Sequence, residues 1–342
     1  MRRNDRGGTA VDGIAARRPA HGSRAALGTL TAAGTLLALL LPTGPAAATP
    51  LNSHRSATSQ RTAAAFWTAA RMRSATPLDL AAPARQHRTA VPRSAPLTVR
   101  PTLPALPSLP VPRPTAAAQP GGPWTGGGAV TKTAGRVFFT YQGRTASCSG
   151  DAVTSANKST VVTAGHCVKL QGAWHTNWVF VPGYHDGQAP YGKWPAAKTL
   201  STPQWTASED INYDVGAAVV APLDGKKLTD VVGGQGLSFN SGYNKTMYAF
   251  GYPAAAPYDG TKLIYCSGTT MKDPLFSHDH GLSCNMTGGS SGGPWFTSFD
   301  EKTGTGLQSS VNSFGYQFLP NTMFGPYFGD DAKNLYNTAQ SS

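Results

Sequence analysis

One stretch constrains this chain more than any other. Gly288-Gly289-Ser290-Ser291-Gly292-Gly293-Pro294 leads directly into the apolar pair Trp295-Phe296. A glycine-rich bend that feeds an apolar strand belongs to a β-rich chain, and it holds a serine where the backbone can take positive φ. Such a backbone can gather successive N–H groups into an anion-binding hollow. A serine hydroxyl attacks a carbonyl only when a neighbouring base takes its proton and such N–H groups receive the oxyanion. A glycine-rich turn alone would explain the motif equally well. The deciding question is whether the rest of the chain supplies the base and a group to orient it.

Both are present. Val161-Val162-Thr163-Ala164-Gly165-His166-Cys167 ends a β-branched run on a histidine beside a cysteine. Farther on, Asp214 opens the apolar run Val215-Gly216-Ala217-Ala218-Val219-Val220. His166 is the candidate general base and Ser291 the candidate nucleophile, with Ser290 its competitor. Asp214 is the candidate orienter, because a carboxylate entering a buried strand needs a partner to offset its desolvation. Asp210, among Ser208, Glu209 and Asn212, is the rival and reads as part of a solvated loop.

The order His, Asp, Ser separates this chain from subtilisin-like and α/β-hydrolase arrangements. Through Thr163-Ala164-Gly165-His166-Cys167 and Gly289-Ser290-Ser291-Gly292-Gly293-Pro294, residues 122–342 resemble the trypsin-like (chymotrypsin-fold) serine peptidases of the secreted bacterial kind. Val181-Pro182-Gly183-Tyr184 and Pro190-Tyr191-Gly192 add a similarity to glutamyl endopeptidases. The resemblance implies an oxyanion hole from the N–H groups of Gly289 and Ser291. It also implies a substrate pocket near Asn285 and along Ser313, Phe314 and Gly315. Two departures stand out. Members of that family usually carry an aspartate just before the nucleophile, which pairs with a new N-terminus after zymogen cleavage; here the residue is Ser290. Trypsin-type members place an aspartate where this chain has Asn285, and a neutral amide does not strongly reward Lys or Arg substrates. No histidine occurs in Val311–Gly315, so strict glutamate preference is unsupported.

The fold expected is all-β: two six-stranded antiparallel β-barrels, chymotrypsin-like, with a short C-terminal helix, preceded by a disordered leader. Short apolar runs with Gly/Pro turns support it. They include 135–141, 146–153, 159–162, 178–181, 214–220, 245–250, 262–266, 292–296 and 306–314. The one credible helix is Asp330 to Gln340, with Ala332, Leu335 and Tyr336 on one face. The active site would sit between the barrels.

Cys148, Cys167, Cys266 and Cys284 all lie in residues 122–342, and an even count in an exported chain suggests two disulfides. Three pairings are open. Cys148–Cys167 with Cys266–Cys284 is preferred, since each pair falls within one short antiparallel stretch, and the resemblance implies the first of them.

Residues 1–48 read as a signal peptide: six arginines, the apolar core Ala25–Leu41, then Ala46-Ala47-Ala48. The chain is therefore expected to be secreted and extracellular, with no stable membrane association. Residues 49–121, rich in Pro and Ala with 12 prolines, are expected to be a disordered spacer or a propeptide that buries no core. Within them, a helical patch is expected from Thr62 to Ser74. The net charge of +12 would suggest nucleic-acid binding, but residues 1–121 carry 15 Arg, no Lys and three Asp, whereas residues 122–342 carry 14 basic and 14 acidic residues. The folded part is electrically balanced, so no nucleic-acid partner is expected. The partner expected is a protein or peptide substrate, the state a monomer, and no metal or organic cofactor is called for. His278-Asp279-His280 reads as a solvated loop, and His175 and His185 as turn residues without a pattern. The alternative to an enzyme is a non-catalytic binding protein on a protease-like scaffold. An esterase of another fold is disfavoured, because the chain lacks the Gly-x-Ser-x-Gly elbow between a strand and a helix.

Overall fold

The computed structural model describes residues 52–56, 59–81, 90–102 and 118–342. The expected signal peptide, residues 1–48, lies outside them. The first half of the domain is a closed barrel. Its strands are β1 (Ala134–Tyr141), β2 (Arg144–Ala152), β3 (Thr160–Thr163), β4 (Thr176–Pro182), β5 (Trp194–Ser201) and β6 (Gly216–Val220). Going round the ring, the order is β1, β2, β3, β6, β5, β4 and back to β1, with every pairing antiparallel. Gln142 and Gly143 make the tight turn between β1 and β2, both at positive φ, the backbone a two-residue hairpin needs. Inside, Val137, Phe139, Ala146, Val161, Phe180, Trp194, Leu200 and Ala218 fill one core cluster.

The second half holds β7 (Gly236–Phe239), β8 (Thr246–Gly251), β9 (Ile264–Thr269), β10 (His280–Ser283), β11 (Pro294–Asp300), β12 (Thr305–Val311) and β13 (Thr322–Gly325). Here the hydrogen bonds form two sheets rather than one closed ring. One runs β7-β12-β11-β8-β9, and the other contains β10 and β13 together with Phe314–Gly315. The Cys266–Cys284 disulfide joins β9 to the residue after β10, linking the two sheets covalently. Cys148–Cys167 is the other bond, so both preferred pairings are present. The helix α1 (Asp330–Gln340) covers the residues expected, with Ala332, Leu335, Tyr336 and Ala339 buried. Asp330 and Asp331 in its first turn complement the helix dipole. The strands Trp194–Ser201, Gly236–Phe239, His280–Ser283 and Thr322–Gly325 were not expected from the pattern. Pro195 and Lys198 break the apolar rhythm of the first, and the others have only four residues each.

The expectation that residues 49–121 bury no core is corrected for the part that is described. Two short helices, Gln60–Phe66 and Ala69–Ser74, occupy the predicted helical patch. Trp67, between them, is fully buried, and Met72 nearly so. The cause lies in the barrel. Strands β1 and β4 are apolar on their outer face as well as their inner one, through Phe138, Val179 and Val181. That outer face needs a cover, and Trp67, Ala63 and Met72 provide it. The Trp67 ring lies tilted against Phe138, with centroids 5.3 Å apart, and donates its indole N–H to the Asn177 carbonyl at 2.7 Å. Short strands of the same region extend open sheet edges: Ser53–Arg55 on β5, Leu97–Val99 on β7 and Gln119–Pro123 on β9. The proline repeat at 103–110, which argued for an extended spacer, lies outside the described residues. Among those residues, no helix is long and apolar enough to cross a membrane.

Candidate active site

His166 sits on a single 3-10 turn, Gly165–Cys167, where β3 ends. Asp214 follows a similar turn, Ile211–Tyr213, just ahead of β6. Strand β6 pairs with β3 so that Gly216 faces Thr163, and this register brings the two turns side by side. The Asp214 carboxylate takes three hydrogen bonds. Its Oδ1 accepts the His166 backbone N–H at 2.7 Å. Its Oδ2 accepts the His166 Nδ1–H at 2.8 Å and the Ser313 hydroxyl at 2.5 Å. Both side chains are fully buried. Three donors satisfy a carboxylate that would otherwise be costly in that position. With Nδ1 committed to Asp214, His166 Nε2 carries no hydrogen bond and is left to exchange a proton. The rival Asp210 instead caps its own turn, accepting from Asn212 N–H at 3.1 Å and Nδ2–H at 2.8 Å.

Ser291 belongs to the second half but is anchored to the first. Its carbonyl accepts the Ser149 N–H at 2.7 Å and lies 3.6 Å from Cys167 Sγ, next to His166. Gly292, at φ +79°, leaves the bend where any Cβ would collide with the Ser149 carbonyl and Thr163. The competitor Ser290 turns inward, with its hydroxyl on the Thr287 carbonyl at 2.8 Å. Asn312 clasps the bend: its Nδ2 donates to the carbonyls of Phe250 and Ser290, and its Oδ1 accepts the Trp295 indole N–H at 2.6 Å. No signal in the sequence marked Asn312 for this.

His175, read as a turn residue, is corrected. It is buried, stacks on Phe139 at 4.3 Å, and places Nε2 2.8 Å from the His166 carbonyl. Burial pushes its pKa down to about 4, so the ring is neutral at pH 7 and supports the His166 turn as a donor. The solvated-loop reading of His278-Asp279-His280 is also corrected, since Asp279 and His280 are buried. Burial raises the Asp279 carboxyl well above its usual range and lowers His280 to about 3, so each is held towards its neutral form.

A cavity of about 530 Å³ opens beside Ser291. Asn285, Met286, Thr287, Gly315 and Met323 are among its walls, and among the described residues Asp79 is the one charged side chain that reaches it. Of the expected pocket residues, Gly315 and Phe314 line it. Ser313 lines it too, but its hydroxyl is spent on Asp214. The Asn285 side-chain oxygen accepts the Tyr258 hydroxyl at 2.6 Å. Gly289 stands at φ +92°, and the Leu78 carbonyl accepts its N–H at 3.0 Å. Among the described residues, Cys148, His166 and Cys167 have donor atoms spaced as a metal would require. Both sulfurs are consumed by their disulfide, which leaves one imidazole and no thiolate.

Solved structures of proteases resemble this chain in fold. The crystal structure of the protease Anisep from Arthrobacter nicotinovorans matches at 48% identity and TM-score 0.59, over 62% of this chain and 96% of that one. The thermostable serine protease AL20 from an extremophilic microorganism matches at 41% identity and TM-score 0.59, over 63% and 99%. An extracellular metalloprotease of Bacillus subtilis (strain 168) shares 44% identity over 62 residues, 18% of this chain; the chain thus spans about a fifth of that curated relative. No family model matches.

Proposed function

The chain belongs to the trypsin-like serine proteases, and from that premise we propose that it is a secreted serine endopeptidase working through Ser291, His166 and Asp214. The observation that carries this reading is the fixed His166–Asp214 pair, with Nε2 unengaged beside the Ser291 bend. His166 Nε2 takes the Ser291 hydroxyl proton as the oxygen attacks the substrate carbonyl. The N–H groups of Gly289 and Ser291 receive the developing oxyanion. His166 then passes the proton to the departing amine, which leaves an acyl-enzyme on Ser291. A water repeats the sequence and frees the product acid. Asp214 holds the imidazole in the tautomer this relay needs.

Apart from Asp79, which belongs to the preceding segment, the cavity walls carry hydroxyl, amide, thioether and aromatic groups, so the residue on the acyl side of the cut bond is expected to be uncharged in the processed enzyme. Two disulfides suit an oxidising, extracellular setting. A fluorophosphonate should attach covalently to Ser291 of the processed enzyme, and Ser291→Ala should abolish both label and peptide hydrolysis. A Ser291→Ala variant that still hydrolyses peptides at the wild-type rate would overturn the assignment. A fully folded, processed protein that takes no label would favour the non-catalytic binding reading.

A further inference from the structure

The cleft just described is occupied by the chain's own residues. Thr76–Pro77 lie parallel to Ala146–Ser147 of β2, and Leu80–Ala81 lie parallel to Phe314–Gly315. The strap therefore spans both halves of the fold, passing over the Ser291 bend. Its centre is Leu78, whose N–H donates to the Ser147 carbonyl at 2.9 Å and whose carbonyl accepts the Gly289 N–H at 3.0 Å. That second bond takes up a donor on which the proposed oxyanion hole depends. The Leu78 side chain packs against the first-barrel core cluster, and Leu80 packs with Ile211, Phe314, Tyr316 and Phe324. Asp79 crosses above Gly288. Under this cover His166 is fully buried and Ser291 is 3% exposed.

We propose that this cleft is a binding site for an extended strand with leucines at alternate positions. Its built-in ligand is the segment Thr76–Ala81, which keeps the protease inactive until it is displaced. The proposal rests on the reading of Ser291, His166 and Asp214 as the catalytic groups. Strand addition supplies the backbone hydrogen bonds, and the two leucine sites supply selectivity. Direction explains why the strap is a ligand and not a substrate. A departing amine must leave on the side of the wall that Cys148–Cys167 ties to the His166 turn. The strap runs the other way: the chain before Leu78 lies on that wall, at Ala146–Ser147, and the chain after it moves off towards Phe314–Gly315. The Leu78 carbonyl fills the oxyanion site, while the chain after it, which would carry the leaving amine, passes over Gly288 towards Phe314–Gly315.

The test compares fluorophosphonate labelling of the uncleaved chain from residue 49, verified by mass, with that of the processed enzyme. The uncleaved wild type should label at least tenfold more slowly than the processed form. Leu78→Ser/Leu80→Ser in the uncleaved chain should recover most of that difference. A second arm does not depend on folding of a variant. The acetylated, amidated peptide Thr-Pro-Leu-Asp-Leu-Ala, added to processed enzyme, should raise KM without changing kcat and should remain intact. The same peptide with both leucines replaced by serine should inhibit at least tenfold more weakly. Equal labelling of uncleaved wild type and processed enzyme would overturn the proposal, as would equal inhibition by the two peptides. Cleavage of the leucine peptide would do so as well. Failure of the processed enzyme to label at all would instead count against the catalytic assignment itself.

Discussion

Ser313→Ala gives the sharpest test of how the buried carboxylate is held. Asp214 receives three donors, and Ser313 is the one that comes from the second half of the fold. A hydrogen bond to a charged group contributes about 1.5–3 kcal/mol net, and about 1.4 kcal/mol corresponds to tenfold in rate. Two donors remain after the substitution, both from His166, so the lower end applies and kcat should fall about tenfold. The missing donor leaves Oδ2 under-satisfied at zero exposure, so the aspartate and the imidazole it orients should both gain freedom. Ser313 also faces the cleft, and the kinetic split distinguishes its two possible roles. A residue that positions Asp214 should lower kcat with KM nearly unchanged, whereas a residue that binds substrate should raise KM. The assay is steady-state hydrolysis of an uncharged peptide by processed enzyme, with thermal unfolding as a check on the fold. A kcat within twofold of wild type, with the fold intact, would refute the reasoning.

Two further outcomes are expected. His175 titrates near 4 in the folded protein against 6.5 unfolded, so the unfolded state binds more protons between those values. Its contribution to stability is therefore fully present above pH 6.5 and is lost as pH falls towards 4, by on the order of 3 kcal/mol. His175→Gln should flatten the slope of melting temperature across that window, and an unchanged slope would refute the assignment. The Cys266–Cys284 bond closes a loop with sequence separation 18, so replacing both cysteines by alanine should cost about 3 kcal/mol in denaturant unfolding. A loss under about 0.5 kcal/mol would show that the two sheets do not need the link.

What the chain declared by itself was chemistry tied to short range. The glycines around Ser291 announced a bend that side chains cannot occupy, and Gly289 and Gly292 do stand at positive φ. The β-branched run into His166 and the apolar run after Asp214 marked β3 and β6, and the spacing of the cysteines marked both disulfides. The helix Asp330–Gln340 was legible because its apolar face repeats at helical spacing. What only the folded molecule decided depends on contacts between residues far apart in sequence. Ser313 reaches Asp214 across 99 positions, Asn312 clasps a bend made by other residues, and His175 is buried beneath the His166 turn. The described residues from 52 to 81 offered only the helical patch at Thr62 to Ser74, because an alanine-rich segment cannot build a core alone. It gains structure by covering apolar surface and sheet edges that the barrel already presents, and a local pattern does not reveal what its partner will offer.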